Sequence, residues 1–393
     1  MEGKRLIQKL KLQNFLSYGN QGEEIELQPL NVLIGPNGSG KSNLIEAFGI
    51  LKATPTDITV PIRQGGGISE FIWKGKKEGK VKETPTTKIE TILDYPDNYD
   101  SQQLHYHLSF TQANQRFSLI EERVKYPKSP QDDCYHYNHH LGANIRAVGE
   151  EKSHRFSIEY PNQSIFSQRK EPEKYPEILY LGKQFSAIEL YRNWHIGRDS
   201  EARRLQSADL PESPLLEDSS NLGMVLNNLQ FKLGNQRVIE QFKKFYRDAT
   251  EISIKIIGGT VQIFIREQGI TQPIAASRLS DGTLHYIFLM ALLLDPTPPP
   301  LLCIEEPEIG LHPDILSTIA DMLIEASQRT QLIVTTHSDA LISTLPPESV
   351  LICERDEEGS HLQRLEAEPL KDWLENYTIG DLWRMGHIGG KPW

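Results

Sequence analysis

Cysteine is scarce in this chain of 393 residues, which contains three cysteines, at positions 134, 303 and 353. Their small number and wide spacing argue against a framework of disulfide bonds and predict a cytoplasmic protein. Long apolar runs are also missing, because none approaches the roughly 18 residues that a membrane-spanning helix needs. The first five residues, Met-Glu-Gly-Lys-Arg, lead into an alternating strand pattern, so we expect no signal peptide and no membrane partner.

An excess of positive charge is absent as well. The formal net charge of -11 argues against a surface that binds nucleic acid everywhere, while it leaves room for a local basic patch. Sustained heptads are missing, which excludes a long coiled coil. With 38% hydrophobic and 24% charged residues, the composition is typical of a globular protein, and the length allows one large domain or two.

A glycine-rich stretch lies between two apolar segments. Residues 35–42 read Gly-Pro-Asn-Gly-Ser-Gly-Lys-Ser, after a predicted strand at residues 30–34 and before a predicted helix at residues 42–51. This context predicts a P-loop and disfavours a glycine-rich turn with a chance Gly-Lys-Ser. The glycines let backbone N–H groups point at phosphate, Lys41 reaches the β- and γ-phosphates, and the Ser42 hydroxyl holds Mg²⁺. We therefore predict binding of ATP and Mg²⁺ through Gly35, Pro36, Asn37, Gly38, Ser39, Gly40, Lys41, Ser42 and Asn43.

Two carboxylates follow a second apolar strand. Residues 301–304 are Leu-Leu-Cys-Ile, and Glu305 and Glu306 come next. In a chain with a P-loop this predicts a Walker B strand, in which Glu305 holds the hydration shell of Mg²⁺ and Glu306 polarises the attacking water as general base. His337 follows another apolar strand. Since ligands of open α/β sheets bind at the carboxyl ends of strands, His337 is a candidate γ-phosphate sensor, and the alternative is a surface histidine.

The segments between these motifs predict two insertions. Residues 87–168 contain strand-like runs that predict an antiparallel sheet, and residues 221–246 have helical periodicity before a hairpin around Gly258 and Gly259. The polar residues 198–220 are the best candidate for a lobe boundary. We therefore predict an N-terminal part of an ATPase lobe (1–197), a helical and signature lobe (198–283) and a C-terminal part of the ATPase lobe (284–393).

Several local features leave alternatives open. The most basic stretch, residues 74–82, predicts either a solvated loop or a DNA contact. Residues 134–140, Cys-Tyr-His-Tyr-Asn-His-His, have no second Cys/His pair at zinc-finger spacing, so a polar hairpin tip is favoured over a metal site. Phe15 or Tyr18 either stacks on a purine or packs at a turn. Ser280 and Gly282 open an apolar helix, which predicts an anion-binding N-terminus or an ordinary capped helix.

Together these motifs resemble the ABC-class ATPase heads of the SMC, RecF and OLD group, and among them the compact bacterial AAA-ATPase-domain proteins without a coiled coil. The resemblance rests on the P-loop, residues 279–283 (Leu-Ser-Asp-Gly-Thr), the Walker B pair, the loop 308–313, His337 and the tail 377–393. It implies an α/β fold of the ABC-type ATPase head. Such a head has a mixed central sheet with the P-loop, an added antiparallel β-sheet and an inserted helical lobe.

The resemblance also implies how the head works. It implies a homodimer or higher oligomer in which ATP is sandwiched between Lys41 of one subunit and Ser280 and Gly282 of the other. We expect hydrolysis of ATP to ADP and phosphate, with Glu306, His337 and Lys41 as catalytic residues. We also expect a switch that acts on a separately encoded effector such as a nuclease, in DNA maintenance or anti-phage defence, with DNA as a candidate partner.

Two other functions compete with this prediction. The nucleotide-binding subunit of a membrane transporter is disfavoured by the long β insertion and by the Leu-Ser-Asp-Gly-Thr signature. A non-hydrolysing ATP-dependent scaffold is disfavoured by the Glu306 carboxylate.

Three positions depart from the family pattern. Asp281 stands where transporter signatures commonly have glycine, and it either caps the helix or weakens closure of the dimer. Glu305 replaces the usual aspartate, and its longer side chain is expected to reach Mg²⁺ through water. The glutamine that senses Mg²⁺ in these heads is expected at Gln64 or Gln184, each near the end of a strand.

Overall fold

The computed structural model describes residues 3–75, 85–96, 101–126, 133–150, 152–195 and 197–390. Most of the basic stretch 74–82 lies outside these residues, so the choice between solvated loop and DNA contact remains open. Within the described ranges, no helix is long and apolar enough to cross a membrane.

The strands of the described residues form three sheets. In chain order they are β1 (Ile7–Gln13), β2 (Glu23–Glu26), β3 (Leu30–Ile34), β4 (Thr87–Pro96), β5 (Ser101–Ala113), β6 (Arg116–Lys125), β7 (Asp133–Asn138), β8 (Gly142–Ile145), β9 (His154–Phe156), β10 (Glu189–Tyr191), β11 (Gln206–Ser207), β12 (Ala249–Ile257), β13 (Thr260–Glu267), β14 (Ile274–Ala275), β15 (Leu301–Glu305), β16 (Gln331–Thr335), β17 (Val350–Arg355) and β18 (Ser360–Arg364).

Helices connect and cover these sheets. In the same described residues they are α1 (Lys41–Ala53), α2 (Thr59–Gln64), α3 (Ile68–Phe71), α4 (Ile165–Gln168), α5 (Pro176–Ser186), α6 (Leu222–Leu233), α7 (Asn235–Lys243), α8 (Asp281–Leu293), α9 (Leu316–Ser327), α10 (Asp339–Ile342), α11 (Ala367–Leu374) and α12 (Ile379–Arg384), with 3-10 turns at Glu201–Arg203, Ala276–Arg278, Pro313–Ile315 and Pro347–Ser349.

The central sheet carries the P-loop sequence. Its strand order is β10-β15-β16-β3-β17-β18, and every neighbouring pair is parallel except β17 and β18. All residues of β3 and β16 are buried, as is typical of parallel strands covered on both faces. The expected mixed central sheet is confirmed.

Two hydrophobic cores cover the two faces of this sheet. Val32 and Ile34 of β3 pack into the core shared with α6, α7, α8 and α9, whereas Leu33 packs into the core shared with α1 and the large antiparallel sheet. In β15, Leu302 likewise packs into the first of these cores and Cys303 into the second. Because successive side chains of a strand point to opposite faces, each central strand ties the two outer layers together.

The added antiparallel sheet is confirmed. Its order is β2-β1-β4-β5-β6-β7-β8-β9 in the described residues, so the N-terminal strands join the inserted ones. Glu122 of β6 is completely buried and accepts hydrogen bonds from the Tyr106 hydroxyl, the Ser164 hydroxyl and the Ile165 N–H. These bonds tie the start of α4 to the sheet, and burial raises the pKa of the Glu122 carboxyl.

Residues 134–140 differ from the predicted hairpin tip. Cys134 to Asn138 lie in strand β7, and the turn begins at His139. Cys134 and Tyr135 are both buried in the hydrophobic core that includes this sheet. No group of three or more His, Cys, Asp or Glu side chains in the described part of the chain is arranged to hold a metal ion.

The helical lobe contains α6, α7 and the small sheet of β11, β12, β13 and β14. The predicted helical character of residues 221–246 is confirmed, and it is divided between α6 and α7, which meet at Gly234, where a φ of 82° favours glycine and breaks the helix. The hairpin around Gly258 and Gly259 is confirmed. Helix α8 runs across residue 283, and the division into three segments remains a prediction.

Candidate active site

Three neighbouring strands of the central sheet end at the candidate site. Strand β3 leads into residues 35–42, β15 ends at Glu305, and β16 ends two residues before His337. These strands are parallel and adjacent in the order β15-β16-β3, so their carboxyl ends meet at one edge. The fold therefore brings the P-loop, the two glutamates and the histidine together from segments that are up to about 300 residues apart.

Two glycines of the P-loop are required by close contacts. A Cβ atom at Gly35 would lie 2.1 Å from the carbonyl oxygen of Cys353, and a Cβ atom at Gly40 would lie 2.3 Å from the Ser360 hydroxyl. Both glycines have positive φ, at 146° and 110°. Their lack of a side chain lets the loop curl tightly against β17 and β18 before α1 begins. The loop tip, Asn37 and Gly38, is exposed.

Lys41 lies inside this loop. Its Nζ donates hydrogen bonds to the carbonyl oxygens of Gly35 (2.7 Å) and Pro36 (3.0 Å), and the residue is 6% exposed. Burial lowers the pKa of Lys41, and the charges of Glu306 and Glu308 oppose part of that shift. The ammonium group is thus held beside the loop by carbonyl groups that an incoming phosphate would replace as partners.

The remaining predicted loop residues have structural contacts. The Asn43 amide donates to the Ser17 hydroxyl at 2.8 Å, and the Ser39 carbonyl accepts from the Ser360 hydroxyl at 2.6 Å. Tyr18 donates its hydroxyl to the Gly40 carbonyl at 3.1 Å. Phe15 and Tyr18 are completely buried, so stacking on a purine is wrong for both and packing at the turn is correct.

Ser42 and Glu305 lie close together. Burial raises the pKa of the Glu305 carboxyl, and the nearby Ser42 hydroxyl opposes part of that shift. A hydroxyl and a carboxylate are hard oxygen donors of the kind that Mg²⁺ prefers, and Mg²⁺ usually keeps several waters besides one or two carboxylates. The pair therefore fits a bound Mg²⁺.

Glu306 and His337 form a second pair. His337 Nε2 lies 3.7 Å from Glu306 Oε1, and the Glu306 side chain is 39% exposed. Glu306 has a φ of 47°, a left-handed conformation that costs a non-glycine residue about 1–3 kcal/mol. Burial and the nearby Lys41 lower the pKa of His337, which makes the neutral ring the main form at pH 7.

Glu308 belongs to the same group, although it is not among the residues predicted for the site. Its Oε1 accepts hydrogen bonds from the Thr336 hydroxyl and from the His337 backbone N–H, both at 2.7 Å. Glu308 therefore fixes the backbone that carries His337. Burial raises the pKa of its carboxyl. The signal for it in the sequence is its place three residues after Glu305.

Arg192 is a second residue that sequence reasoning missed. It follows β10, the neighbour of β15, and its Nη1 lies 2.7 Å from Glu46 Oε1 while its Nε lies 3.7 Å from Glu305 Oε1. Gly49 leaves room for the guanidinium, because a Cβ atom there would lie 2.8 Å from Arg192 Nη2. No pattern in the sequence points to an arginine here.

The expectation that Gln64 or Gln184 lies near a strand end is wrong. Gln64 ends helix α2, and Gln184 lies within helix α5. The position after the strand next to the Walker B strand is occupied by Arg192 instead. Propensity patterns do not show which strands become neighbours, and for that reason the sequence alone does not reveal which side chain follows this strand.

The signature residues start helix α8. The Ser280 hydroxyl caps the helix by accepting from the Thr283 N–H at 3.1 Å. Asp281 pairs with Arg203 and accepts from the Gly197 N–H at 3.1 Å, so its carboxylate bonds to the loop beside the helix. At Gly282 a Cβ atom would lie 2.9 Å from the Gly310 carbonyl, which leaves no room for a side chain.

Helix α8 is connected to Glu305 through one aromatic side chain. The indole N–H of Trp194 donates to the backbone carbonyl of Glu305 at 2.7 Å, and its ring lies 4.4 Å from that of His285 in α8. Trp194 and Arg192 therefore place the segment after β10 between the Walker B strand, helix α1 and helix α8.

Comparisons with known proteins identify the family and the fold of this chain. The family described as "AAA domain, putative AbiEii toxin, Type IV TA system" matches residues 30–343. No curated protein sequence matches the chain. The SMC head bound to the C-winged helix domain of ScpA aligns with a TM-score of 0.57 and 16% identity, covering 94% of this chain and all of that chain.

A second SMC head has a similar fold. The head domain with an extended coiled coil from Pyrococcus furiosus, bound to the C-terminal domain of ScpA, aligns with a TM-score of 0.53 and 15% identity. The alignment covers 94% of this chain and 98% of that chain. Identities this low show a shared fold. The family match spans most of the chain, and the chain belongs to this AAA-domain family, with the fold of an SMC-type ATPase head.

Proposed function

We propose that this chain binds ATP with Mg²⁺ and hydrolyses it to ADP and phosphate, in a site that a second copy of the chain completes. The observation that carries the proposal is the convergence of Lys41, the Ser42–Glu305 pair and the Glu306–His337 pair at one edge of the central sheet. Each of these groups suits one task in phosphoryl transfer.

The P-loop and Lys41 bind the triphosphate. Backbone N–H groups of residues 35–42 and the N-terminus of α1 offer donors to the phosphate oxygens, and Lys41 exchanges its two carbonyl partners for the β- and γ-phosphates. Ser42 and Glu305 are the residues that would hold Mg²⁺, which neutralises phosphate charge when bound.

Glu306 and His337 act on the attacking water. Glu306 is partly exposed at the end of the Walker B strand, so its carboxylate is open to a water molecule and accepts a proton as that water attacks the γ-phosphorus. The bond between the γ-phosphorus and the bridging oxygen breaks, and ADP leaves. Neutral His337, held by Glu308 through its backbone, orients the water and the γ-phosphate.

A second subunit supplies the signature helix. Ser280 and Gly282 lie at the N-terminus of α8, where backbone N–H groups and the helix dipole favour an anion. In the dimer that we propose, this N-terminus of one subunit faces the γ-phosphate bound by Lys41 of the other. In this proposal, bound ATP holds the two subunits together, and its hydrolysis lets them dissociate.

The proposed dimer switches a separately encoded effector, in DNA maintenance or anti-phage defence. Two relationships support this part of the proposal. The family description names a toxin of a toxin–antitoxin system, and the similar SMC heads are bound to domains of ScpA. A head that changes its oligomeric state with ATP offers such a partner two different surfaces.

The Glu306→Gln variant tests the base and the dimer together. We expect its turnover to fall by about 10²–10⁴-fold, because the amide does not accept the proton, while ATP affinity is kept. Phosphate release measures turnover, and light scattering with ATP and Mg²⁺ measures mass. Glu173→Gln, an exposed glutamate remote from the P-loop in sequence, is the matched control.

The results separate the two parts of the proposal. A Glu306→Gln protein that is dimeric with ATP and slow in turnover supports both. Unchanged turnover would refute Glu306 as the base, and a monomer at saturating ATP would refute the shared site. Lys41→Ala is expected to lose ATP binding altogether in calorimetry.

A further inference from the structure

Residues 378–390 form a clasp between two parts of the nucleotide site. At one end, α12 packs on α10, which begins two residues after His337 with Ser338 as its N-cap. A Cβ atom at Gly380 would lie 2.3 Å from the Asp339 carbonyl oxygen, and Arg384 Nε lies 3.1 Å from Asp339 Oδ2. This end of the clasp therefore lies directly on the segment that carries the candidate phosphate sensor.

The other end of the clasp is fixed by hydrogen bonds. The N–H of Gly390 donates to Glu354 Oε1 at 2.7 Å, and the indole N–H of Trp383 donates to the Gly390 carbonyl at 2.5 Å. Trp383 is 1% exposed, so its N–H is removed from water and depends on this one carbonyl. Gly390 is thus connected to α12 through Trp383 and to β17 through Glu354.

Gly390 lies against the first residue of the P-loop. A Cβ atom at Gly390 would be 2.9 Å from Ile352 Cγ2 and 3.5 Å from the Cα atom of Gly35. Gly35 is equally confined on another side, by the carbonyl oxygen of Cys353. Its own carbonyl accepts the hydrogen bond of Lys41. Gly390 is therefore packed against the residue at which the loop begins.

We propose that the clasp, residues 378–390, couples the His337 segment to the P-loop and that Gly390 and Trp383 are positioning residues for phosphate binding. The proposal rests on the proposed function, because it assigns a role within the same ATP site. Neither residue is expected to touch the nucleotide. Gly390 sets the position of Gly35, and Trp383 holds Gly390 while α12 holds α10.

Coupling of this kind is reciprocal. If the clasp favours the loop conformation that binds phosphate, then bound ATP must stabilise the clasp by the same free energy. The contacts run from Gly35 through Gly390, Trp383 and α12 to Asp339. A measured coupling energy between the two ends tests whether this chain of contacts acts as a coupling pathway. Both directions are open to experiment.

The first experiment compares two glycine substitutions. Gly390→Ala places a methyl group against Ile352 and Gly35, whereas Gly269→Ala meets no atom within 4 Å. Both glycines have positive φ, at 55° and 82°, so both variants carry backbone strain. Comparing the two variants therefore separates the effect of the contact with Gly35 and Ile352 from the effect of strain. We expect the Kd for ATP, measured by calorimetry, to rise at least about 5-fold for Gly390→Ala and to stay unchanged for Gly269→Ala.

A second pair of measurements does not depend on the folding of Gly390→Ala. Trp383→Phe keeps an aromatic ring but removes the indole N–H that donates a hydrogen bond to the Gly390 carbonyl. We expect this variant also to raise the Kd for ATP. In the unaltered protein, ATP is expected to slow amide hydrogen exchange in α12, which lies outside the P-loop. Protection confined to residues 35–53 would overturn the clasp.

The outcomes distinguish this inference from the proposed function. A wild-type protein that takes up no ATP would defeat the proposed function. A wild-type protein that binds ATP, together with unchanged affinity in Gly390→Ala and Trp383→Phe, would defeat the clasp alone. Equal losses of affinity in Gly390→Ala and Gly269→Ala would also defeat it, because they would reflect general strain.

Discussion

Acidification is expected to destabilise the protein through His285. This residue lies in the middle of α8, is 5% exposed, and faces the Trp194 ring at 4.4 Å. Burial lowers its pKa from 6.5 to about 4, with a smaller opposing effect from the backbone of Ile309. The unfolded chain therefore binds a proton at a higher pH than the folded chain does.

The sign and size follow from that difference. Because the pKa is depressed in the folded state, the stability contributed by neutral His285 is present above pH 6.5 and is lost as the pH falls toward 4. Between pH 7 and pH 5 this group alone lowers the free energy of unfolding by about 2 kcal/mol, since one pKa unit is worth about 1.4 kcal/mol. That is a large share of the 5–15 kcal/mol typical of a folded domain.

Urea unfolding at the two pH values measures the effect. The His285→Gln variant has no imidazole to titrate, so its free energy of unfolding is expected to fall by about 2 kcal/mol less than that of the wild type over this interval. Taking the difference between the two proteins removes the contribution of other groups, such as Glu308, whose raised pKa acts in the opposite direction. Equal pH dependence in the two proteins would refute the reasoning.

Two further substitutions have expected results. Arg192→Gln removes the guanidinium that lies between Glu46 and Glu305 and positions the Glu305 carboxylate, so the Mg²⁺ concentration for half-maximal ATP binding should rise about 10-fold, while the control Arg204→Gln should leave it unchanged. No change in Arg192→Gln would contradict this positioning role. Glu122→Gln replaces an acceptor of three hydrogen bonds with an amide, which is partly a donor. The free energy of unfolding, measured by urea titration, should therefore fall by about 1–3 kcal/mol. A loss below about 0.5 kcal/mol would contradict this role of Glu122.

The parts of the site that the sequence predicts are those with local signals. The P-loop strand, turn and helix are contiguous, so one stretch of residues 30–51 contains the whole pattern. Glu305 and Glu306 follow a fully apolar run, and His337 comes two residues after the buried strand β16. In each case a short buried strand and its polar end are enough, because parallel strands place their carboxyl ends at the same edge.

The parts that the sequence does not predict depend on which strands become neighbours. Arg192 is a site residue because β10 pairs with β15, and no periodicity reveals that pairing. The contact of Gly390 with Gly35 joins residues at opposite ends of the chain. Gly234 is a different case: helical periodicity continues through it, and its positive φ alone separates α6 from α7. Tertiary contacts decide the first two cases, and local backbone conformation decides the third.

The charges around the proposed nucleotide site explain why we expect ATP to bind there together with a metal ion and a second subunit. In the described residues around Lys41 and Arg192, two cations stand near four carboxylates, namely those of Glu46, Glu305, Glu306 and Glu308. A triphosphate that enters alone adds negative charge to a region that already has an excess of it, at a cost that burial increases. In the proposed dimer, Mg²⁺ held by Ser42 and Glu305 offsets part of this charge, and the positive N-terminus of the second subunit's α8 offsets more. Under the proposed function, tight binding therefore needs metal and partner together, and we propose that this requirement makes the site a switch.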